Sequence, residues 1–299
     1  MRTTLQLKTL VAGGPVLTDG AWGTEFQRLG LPVGHAADGW NLSRPELVEQ
    51  VARTYVEAGS SVILTNTFRA NRIAMAKDPD RDRVVAINRA AVEISRRAAG
   101  DRALVFASIG PSGKLLMSGD VDERDLRTAF GEQAAALAEA GADAIVIETM
   151  SDLAEARVAL EAALDTGLAV VVSMVFDSGK NRDRTMMGTT PQQAAAELTR
   201  LGAHAVGANC GIGVEGAAAI CAACAAATTL PIWIKPNAGL PRMHGRDAVY
   251  STSADAFAAW LPAMVDAGAG FVGGCCGTTP EFIAALRRRI PQHTATRRR

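Results

Sequence analysis

Two tyrosines in 299 residues, aromatic side chains at only 5% and a net charge of zero mark this sequence first by what it has little of. Its 31 basic residues are matched by 31 acidic ones, so the electrostatic footprint of a nucleic-acid or anionic-membrane binder is missing. No apolar stretch reaches the roughly 20 residues of a membrane-spanning helix. The opening MRTTLQLKTLVAGGP has a short apolar run without the core or cleavage site of a secretory signal. The five cysteines, at 210, 221, 224, 275 and 276, are odd in number and fall late in the chain. That argues against a secreted disulfide framework and for free thiols in a reducing cytoplasm. The G-x-G-x-x-G fingerprint of a doubly wound sheet is also lacking. DGAWGTE carries glycines at 20 and 23 but not in that spacing, which ranks the open sheet second.

What is present is a recurring unit. VEAGSSVILTNTF, AEAGADAIVIETM, TRLGAHAVGANC and VDAGAGFVGGCC each read as a helix end, a glycine (Gly59, Gly141, Gly202, Gly268) and an apolar strand. The apolar runs are continuous rather than alternating, as in parallel strands covered on both faces. Eight strands are predicted: Val16–Asp19, Val62–Phe68, Leu104–Ile109, Ala144–Thr149, Ala169–Phe176, Ala205–Cys210, Ile232–Asn237 and Phe271–Cys275. Ser43 with Glu46 has capping-box spacing, and Thr190-Pro191 and Thr279-Pro280 read as N-caps followed by a first-turn proline. Eight such units imply a single (β/α)8 TIM barrel of the α/β class. No linker interrupts it, so one domain is expected over residues 1–299, with 291–299 a flexible tail. The polar stretch 177–190, DSGKNRDRTMMGTT, is expected to be a long loop, either a solvated connection or a lid.

In such a barrel the C-terminal strand ends face the active site. Those ends are unusually polar: Asp19, Asn66 and Thr67, Ser108, Glu148, Asn209 and Cys210, Asn237, Cys275 and Cys276. Strands six and eight are separated only by seven, so Cys210 can meet the Cys275-Cys276 pair. Adjacent residues of a regular strand point oppositely, and Gly273, Gly274 and Gly277 would let both sulfurs turn to one point. Three thiolates suit Zn²⁺, and three protein ligands leave a fourth position open, as in catalytic sites. Zinc with three thiolates carries a charge of −1. It is poorly suited to activating water and well suited to presenting a substrate thiolate. Glu148, ending the apolar run AIVIE, is expected to bind a substrate ammonium rather than form a structural salt bridge. Asp19 receives the same reading, against the alternative of capping a turn. Thr67 and Asn209 complete the candidate substrate contacts read from the strand ends. Cys221 and Cys224 lie on an Ala-rich helix and read as core packing. No ligand is assigned among the four histidines.

The segments GGCCGTTPEFI, GANC, DGAWGTEFQ, WNLSRPELV, TNTFRANR, SIGPSGKLL, IETMSDLAEA and KPNAGLP together resemble the homocysteine S-methyltransferase family along nearly the whole chain. DGAWGTE and TNTFRANR look most like the homocysteine module of cobalamin-dependent methionine synthase, with Trp22 where methionine is common. The resemblance implies the (β/α)8 barrel and zinc on Cys210, Cys275 and Cys276. It also implies homocysteine held by Glu148 and the Asp19-Gly20 turn, and methyl transfer to its thiol, giving methionine. Family donors are methylcobalamin, betaine, S-methylmethionine or S-adenosylmethionine. Betaine enzymes follow the glutamate with tyrosine, where this chain has Thr149. The scarcity of tyrosine (Tyr55 and Tyr250 alone) also works against an aromatic cage for a quaternary ammonium. No D-x-H-x-x-G cobalamin signature occurs, so a methylcorrinoid donor would arrive on a separate protein. Other thiols or selenols as acceptors remain open. So does a non-catalytic zinc-binding barrel.

Overall fold

The computed structural model describes residues 4–211, 213–240, 242–244 and 247–290, and the expected tail at 291–299 lies outside them. The strands are β1 (Val16–Leu17), β2 (Val62–Ile63), β3 (Leu104–Ile109), β4 (Ala144–Met150), β5 (Ala169–Met174), β6 (Ala205–Cys210), β7 (Ile232–Pro236), a hairpin of β8 (Arg242–His244) and β9 (Asp247–Val249), and β10 (Ala269–Val272). Eight of them form one parallel sheet in the order β1-β10-β7-β6-β5-β4-β3-β2. Ser61 N donates to Leu17 O at 2.8 Å, bringing the two outer strands together, and helices intervene between strands. The fold is a single (β/α)8 barrel.

Its lower interior is filled by Val62, Phe106, Ala144, Val146, Val171, Ala205, Trp233 and Phe271. Phe106, Trp233 and Phe271 pack with ring centroids 5.3–6.3 Å apart. Burying each such ring stabilises by about 1.5–3 kcal/mol. Leu7, in the short helix Leu7–Val11, joins this cluster with Leu5, Leu10 and Val11 beside it. Gly207 is required opposite Trp233, because a Cβ there would stand 1.8 Å from the Trp233 carbonyl oxygen.

The four helix-ending glycines all have positive φ, from 94° to 108°. Thr190 makes a full capping box with Gln193, whereas Thr279 precedes its helix with no side-chain cap. The expected Ser43–Glu46 box does not form. Ser43 ends the short helix Trp40–Ser43 and bonds back to Gly39 O, and Pro45 opens the next helix instead. β2 stops at Ile63 rather than Phe68, because the Asp19 carboxylate takes the next amide, Leu64 N, at 2.7 Å. The last barrel strand begins at Ala269 and ends before the glycine pair, where Gly273 N and Gly274 N turn to Ile234 O and Asp19 O. Residues 177–190 form a tight excursion closed by the Ser178–Arg184 bridge, with Met186 and Met187 exposed.

Candidate active site

Two residues above the apolar interior, the same strands change character. Phe106 is followed on its face by Ser108, Val146 by Glu148, Val171 by Ser173 and Trp233 by Lys235. All four polar residues are buried. Three of them, Ser108, Glu148 and Lys235, line a pocket of about 450 Å³ together with Gly20, Trp22, Cys210, Cys275 and Cys276.

The three sulfurs meet at its floor. Cys210 Sγ lies 3.0 Å from Cys275 Sγ and 3.6 Å from Cys276 Sγ, and all three fall within 4.8 Å of one another. Tetrahedral Zn–S bonds of about 2.3 Å separate sulfurs by roughly 3.8 Å, so the cluster needs little adjustment to take a thiophilic ion. Asn237 follows β7 directly along the chain. Its Oδ1 is buried without a hydrogen-bond partner among the described residues, while its amide nitrogen is held by Gly211 O at 2.9 Å. Backbone geometry aims the sulfurs. Cys210 has φ 60°, a left-handed conformation rare outside glycine, and this turns its side chain off the strand. Of the glycines around the pair, only Gly277 has positive φ, at 80°. Gly273 and Gly274 are needed for space, since a Cβ at either would lie 2.0 or 2.3 Å from the side-chain oxygen of Thr18 or Thr278.

Asn209 ties this cluster to the neighbouring strand end. Its Oδ1 accepts from Thr149 N (2.8 Å) and Ser173 Oγ (2.7 Å). Its Nδ2 donates to Thr149 Oγ1 (2.6 Å) and approaches Cys275 Sγ at 3.7 Å. Thr149 is itself left-handed, at φ 62°. Glu148, the residue before it, accepts from Ser108 Oγ at 2.5 Å. Burial pushes the Glu148 pKa up to about 7, although Lys235 pulls against it.

Asp19 is fully buried and saturated from within the protein. It pairs with the Lys235 ammonium and accepts from Trp22 Nε1 (2.6 Å) and Leu64 N. Burial works against the Lys235 charge, but Asp19 and Glu148 outweigh it and hold its pKa above the ordinary value. Thr67 lies beneath the pocket wall with its hydroxyl on Ser108 O, and Asn66 is spent on Ala37 O and Asn41. Of the candidate substrate contacts, Gly20 and Glu148 thus face the pocket, while Asp19 and Thr67 are turned into the protein. Asn209 lines a small adjoining cleft beside Cys210. Lys235 was missed in the sequence, although IWIKPN places a lysine on an apolar strand as conspicuously as AIVIE places Glu148. Cys221 and Cys224 are buried in the core away from this cluster.

Asp38 also lines the pocket. Burial raises its pKa to about 6, partly offset by the Arg69 amide it accepts at 2.9 Å.

Known proteins share this architecture. The chain is 30% identical over 282 residues to a methionine synthase of Mycobacterium leprae and 29% identical over 282 residues to that of Mycobacterium tuberculosis. These matches cover 89% of this chain but only 23% and 24% of the relatives, so the chain spans about a quarter of their length. The crystal structure of the homocysteine methyltransferase MmuM from Escherichia coli, metallated form, superposes with a TM-score of 0.80 at 26% identity. That match covers 95% of this chain and 100% of that one. Residues 16–290 match the family model for homocysteine S-methyltransferase, and the chain belongs to that family of S-methyltransferases.

Proposed function

We propose that this chain transfers a methyl group to the thiol of L-homocysteine, giving methionine, with zinc held by Cys210, Cys275 and Cys276. The observation that carries the reading is the placing of three converging thiols and a buried carboxylate, Glu148, in one pocket. When bound, zinc would lower the pKa of a thiol ligand and leave its sulfur electron-rich. The protein's own groups supply the rest. Glu148, oriented by Ser108, receives the substrate ammonium, and the Gly20 turn faces its carboxylate. Asp19 acts through Lys235, neutralising one positive charge so that the site keeps net negative character for an ammonium. The methyl carbon gains a bond to the homocysteine sulfur as its bond to the donor breaks, and the thiol proton passes to solvent. Walls of Trp22, Phe26, Leu31 and Phe68 exclude water from that displacement.

A methylated corrinoid on a separate protein is the donor this surface favours. Seven of the eight exposed large hydrophobics among the described residues (Val33, Phe68, Met117, Met186, Met187, Leu240 and Val249) sit in segments that follow the strands' C-terminal ends. An apolar rim around a pocket mouth suits a macromolecular partner. The size of the pocket favours a second reading, a small donor such as S-methylmethionine bound beside homocysteine. Free thiols at the site fit a reducing cytoplasm, and no described helix is long and apolar enough to cross a membrane.

Zinc-loaded protein assayed with homocysteine against a methylcorrinoid protein, S-methylmethionine, S-adenosylmethionine and betaine is the direct test. Methionine is expected with the corrinoid protein. Turnover with S-methylmethionine alone would reverse the order of donors, and none with any donor would overturn the reading. Glu148→Ala should raise the homocysteine KM about 10–100-fold with zinc content unchanged.

A further inference from the structure

Lys235 brings more hydrogen-bond donors into the barrel than the protein uses. It is only 2% exposed, yet it lines the pocket. Its ammonium carries three N–H groups. Among the described residues a single acceptor, Asp19 Oδ1, takes one of them. The Trp233 ring, with its centroid 5.8 Å from Nζ, offers a π face rather than a lone pair. Asp19 fixes where the ammonium sits. Its other oxygen, Oδ2, accepts from Trp22 Nε1 and Leu64 N, so the carboxylate cannot turn away from the lysine without losing two further bonds. Gly20 follows Asp19 in the chain, so Lys235 and the Gly20 turn share one end of the pocket. The Gly20 N–H is buried too and has no hydrogen-bond partner among the described residues. Buried backbone amides are seldom left unpaired. Spare donors on an ammonium and on an amide at one place call for an anionic acceptor. An ion pair kept only for the fold gains little over apolar residues of the same size and has no need of a place in a pocket wall.

We propose that Lys235 binds the carboxylate of the thiol acceptor, so that the pocket selects thiols carrying an acid group. This rests on the methyl transfer to a thiol proposed above and adds the residue that recognises the acceptor's acid end. Glu148 stands on β4, three strands from β7 along the sheet, and takes the ammonium. The two side chains thus address the two charges of a zwitterion, and the sulfur end is left to the three cysteines. Lys235 keeps its own charge, because Asp19 and Glu148 hold its pKa above the ordinary value against burial. A thiol with an amine but no acid would leave the spare donors of a buried ammonium without an acceptor. That costs more than the lost attraction alone, and it is how a site built around a polar group rejects an analogue that lacks it.

The test uses the full chain loaded with zinc, and isothermal titration calorimetry with three thiols. These are homocysteine, 3-aminopropane-1-thiol, which lacks the carboxylate, and 4-mercaptobutyrate, which lacks the ammonium. The unaltered protein is expected to bind homocysteine about 10–100-fold tighter than the aminothiol. Lys235→Met should shrink that preference about tenfold. It should leave the preference for homocysteine over 4-mercaptobutyrate, set by Glu148, unchanged. Where the stranded Asp19 carboxylate prevents folding, the double change Asp19→Asn with Lys235→Met carries the same expectation. An undiminished preference for the acid in a folded variant would overturn the proposal. So would an equal fall in both preferences, which marks a general distortion of the pocket. If none of the three thiols binds the unaltered protein, the underlying reading of the site fails and this proposal with it. A fault confined to Lys235 shows instead as tight homocysteine binding with the preference for the acid intact in the variant.

Discussion

The lower and upper halves of the barrel interior are built from the same strands, two residues apart, and obey opposite rules. Below, Phe106, Val146, Val171 and Trp233 fill space with no titratable group among them. Above, Ser108, Glu148, Ser173 and Lys235 occupy the equivalent inward positions, joined by Asn209 and Asp19 in a buried polar network. The lower layer supplies stability through packing. The upper layer is held up by it and is free to carry charges, left-handed backbone and uncommitted oxygen atoms that a core would not tolerate. Local strain of this kind persists only where the surroundings over-determine it. Thr149 and Cys210, linked through Asn209, show it on two strands of the rim.

The sharpest way to separate the halves is to remove one sulfur. Cys210→Ala should lower zinc affinity by more than about a thousandfold while the circular dichroism spectrum is retained. Competition against a chromophoric chelator reads the first and thermal melting the second. A collapse of the fold would mean that the upper layer is not merely supported but supporting. The converse change is Phe106→Ala, expected to cost about 3–5 kcal/mol in urea unfolding and to leave zinc affinity of the folded protein unaltered. Lys235→Met probes the boundary. It strands the Asp19 carboxylate without its cation, and about 3 kcal/mol of stability should be lost, because a buried charge left unpaired is costly. Restoration by a second change, Asp19→Asn, would show that the loss is electrostatic rather than a packing defect.

The smallest effect separates the halves by pH. The folded-state pKa of Asp38 is raised by burial to about 6, so the native protein holds this proton more tightly than the unfolded chain does. Stability from Asp38 is therefore greatest below about pH 4 and declines as pH rises to about 6. The loss reaches at most about 3 kcal/mol and is constant above that. Asn in its place removes this slope. Urea unfolding of the two proteins from pH 4 to 7 should show the gap widening in favour of Asp38→Asn and then levelling. A parallel pair of curves would remove Asp38 from the account.

Much of this division was legible in the sequence. The glycines at 59, 141, 202 and 268 end helices as expected, and β3 and β6 begin and end where their apolar runs do. The thiols at 210, 275 and 276 converge because strand order brings β6, β7 and β10 side by side. What the sequence concealed was direction. Asp19 looked like a ligand-binding carboxylate because its type and position suited one, yet Lys235, 216 residues away in sequence and two strands along the sheet, engages it. Thr67 was likewise well placed along the chain but faces a backbone carbonyl. The left-handed turns at Thr149 and Cys210 were invisible because neither residue type announces that conformation. Only the packing of several strands enforces it.

Asp19 also gives the cylinder its peculiar fastening. Between the first and second staves the backbone contributes one bond low down, Ser61 to Leu17, and the next bond up is made by a side chain, from Leu64 to the carboxylate. A latch of that kind can be undone without unzipping a ladder. If its counter-charge is pulled away, the rim should part along this seam while the floor stays shut. Deuterium uptake would then begin at the Leu64 amide and spread downward only at the temperature where the aromatic plug gives way.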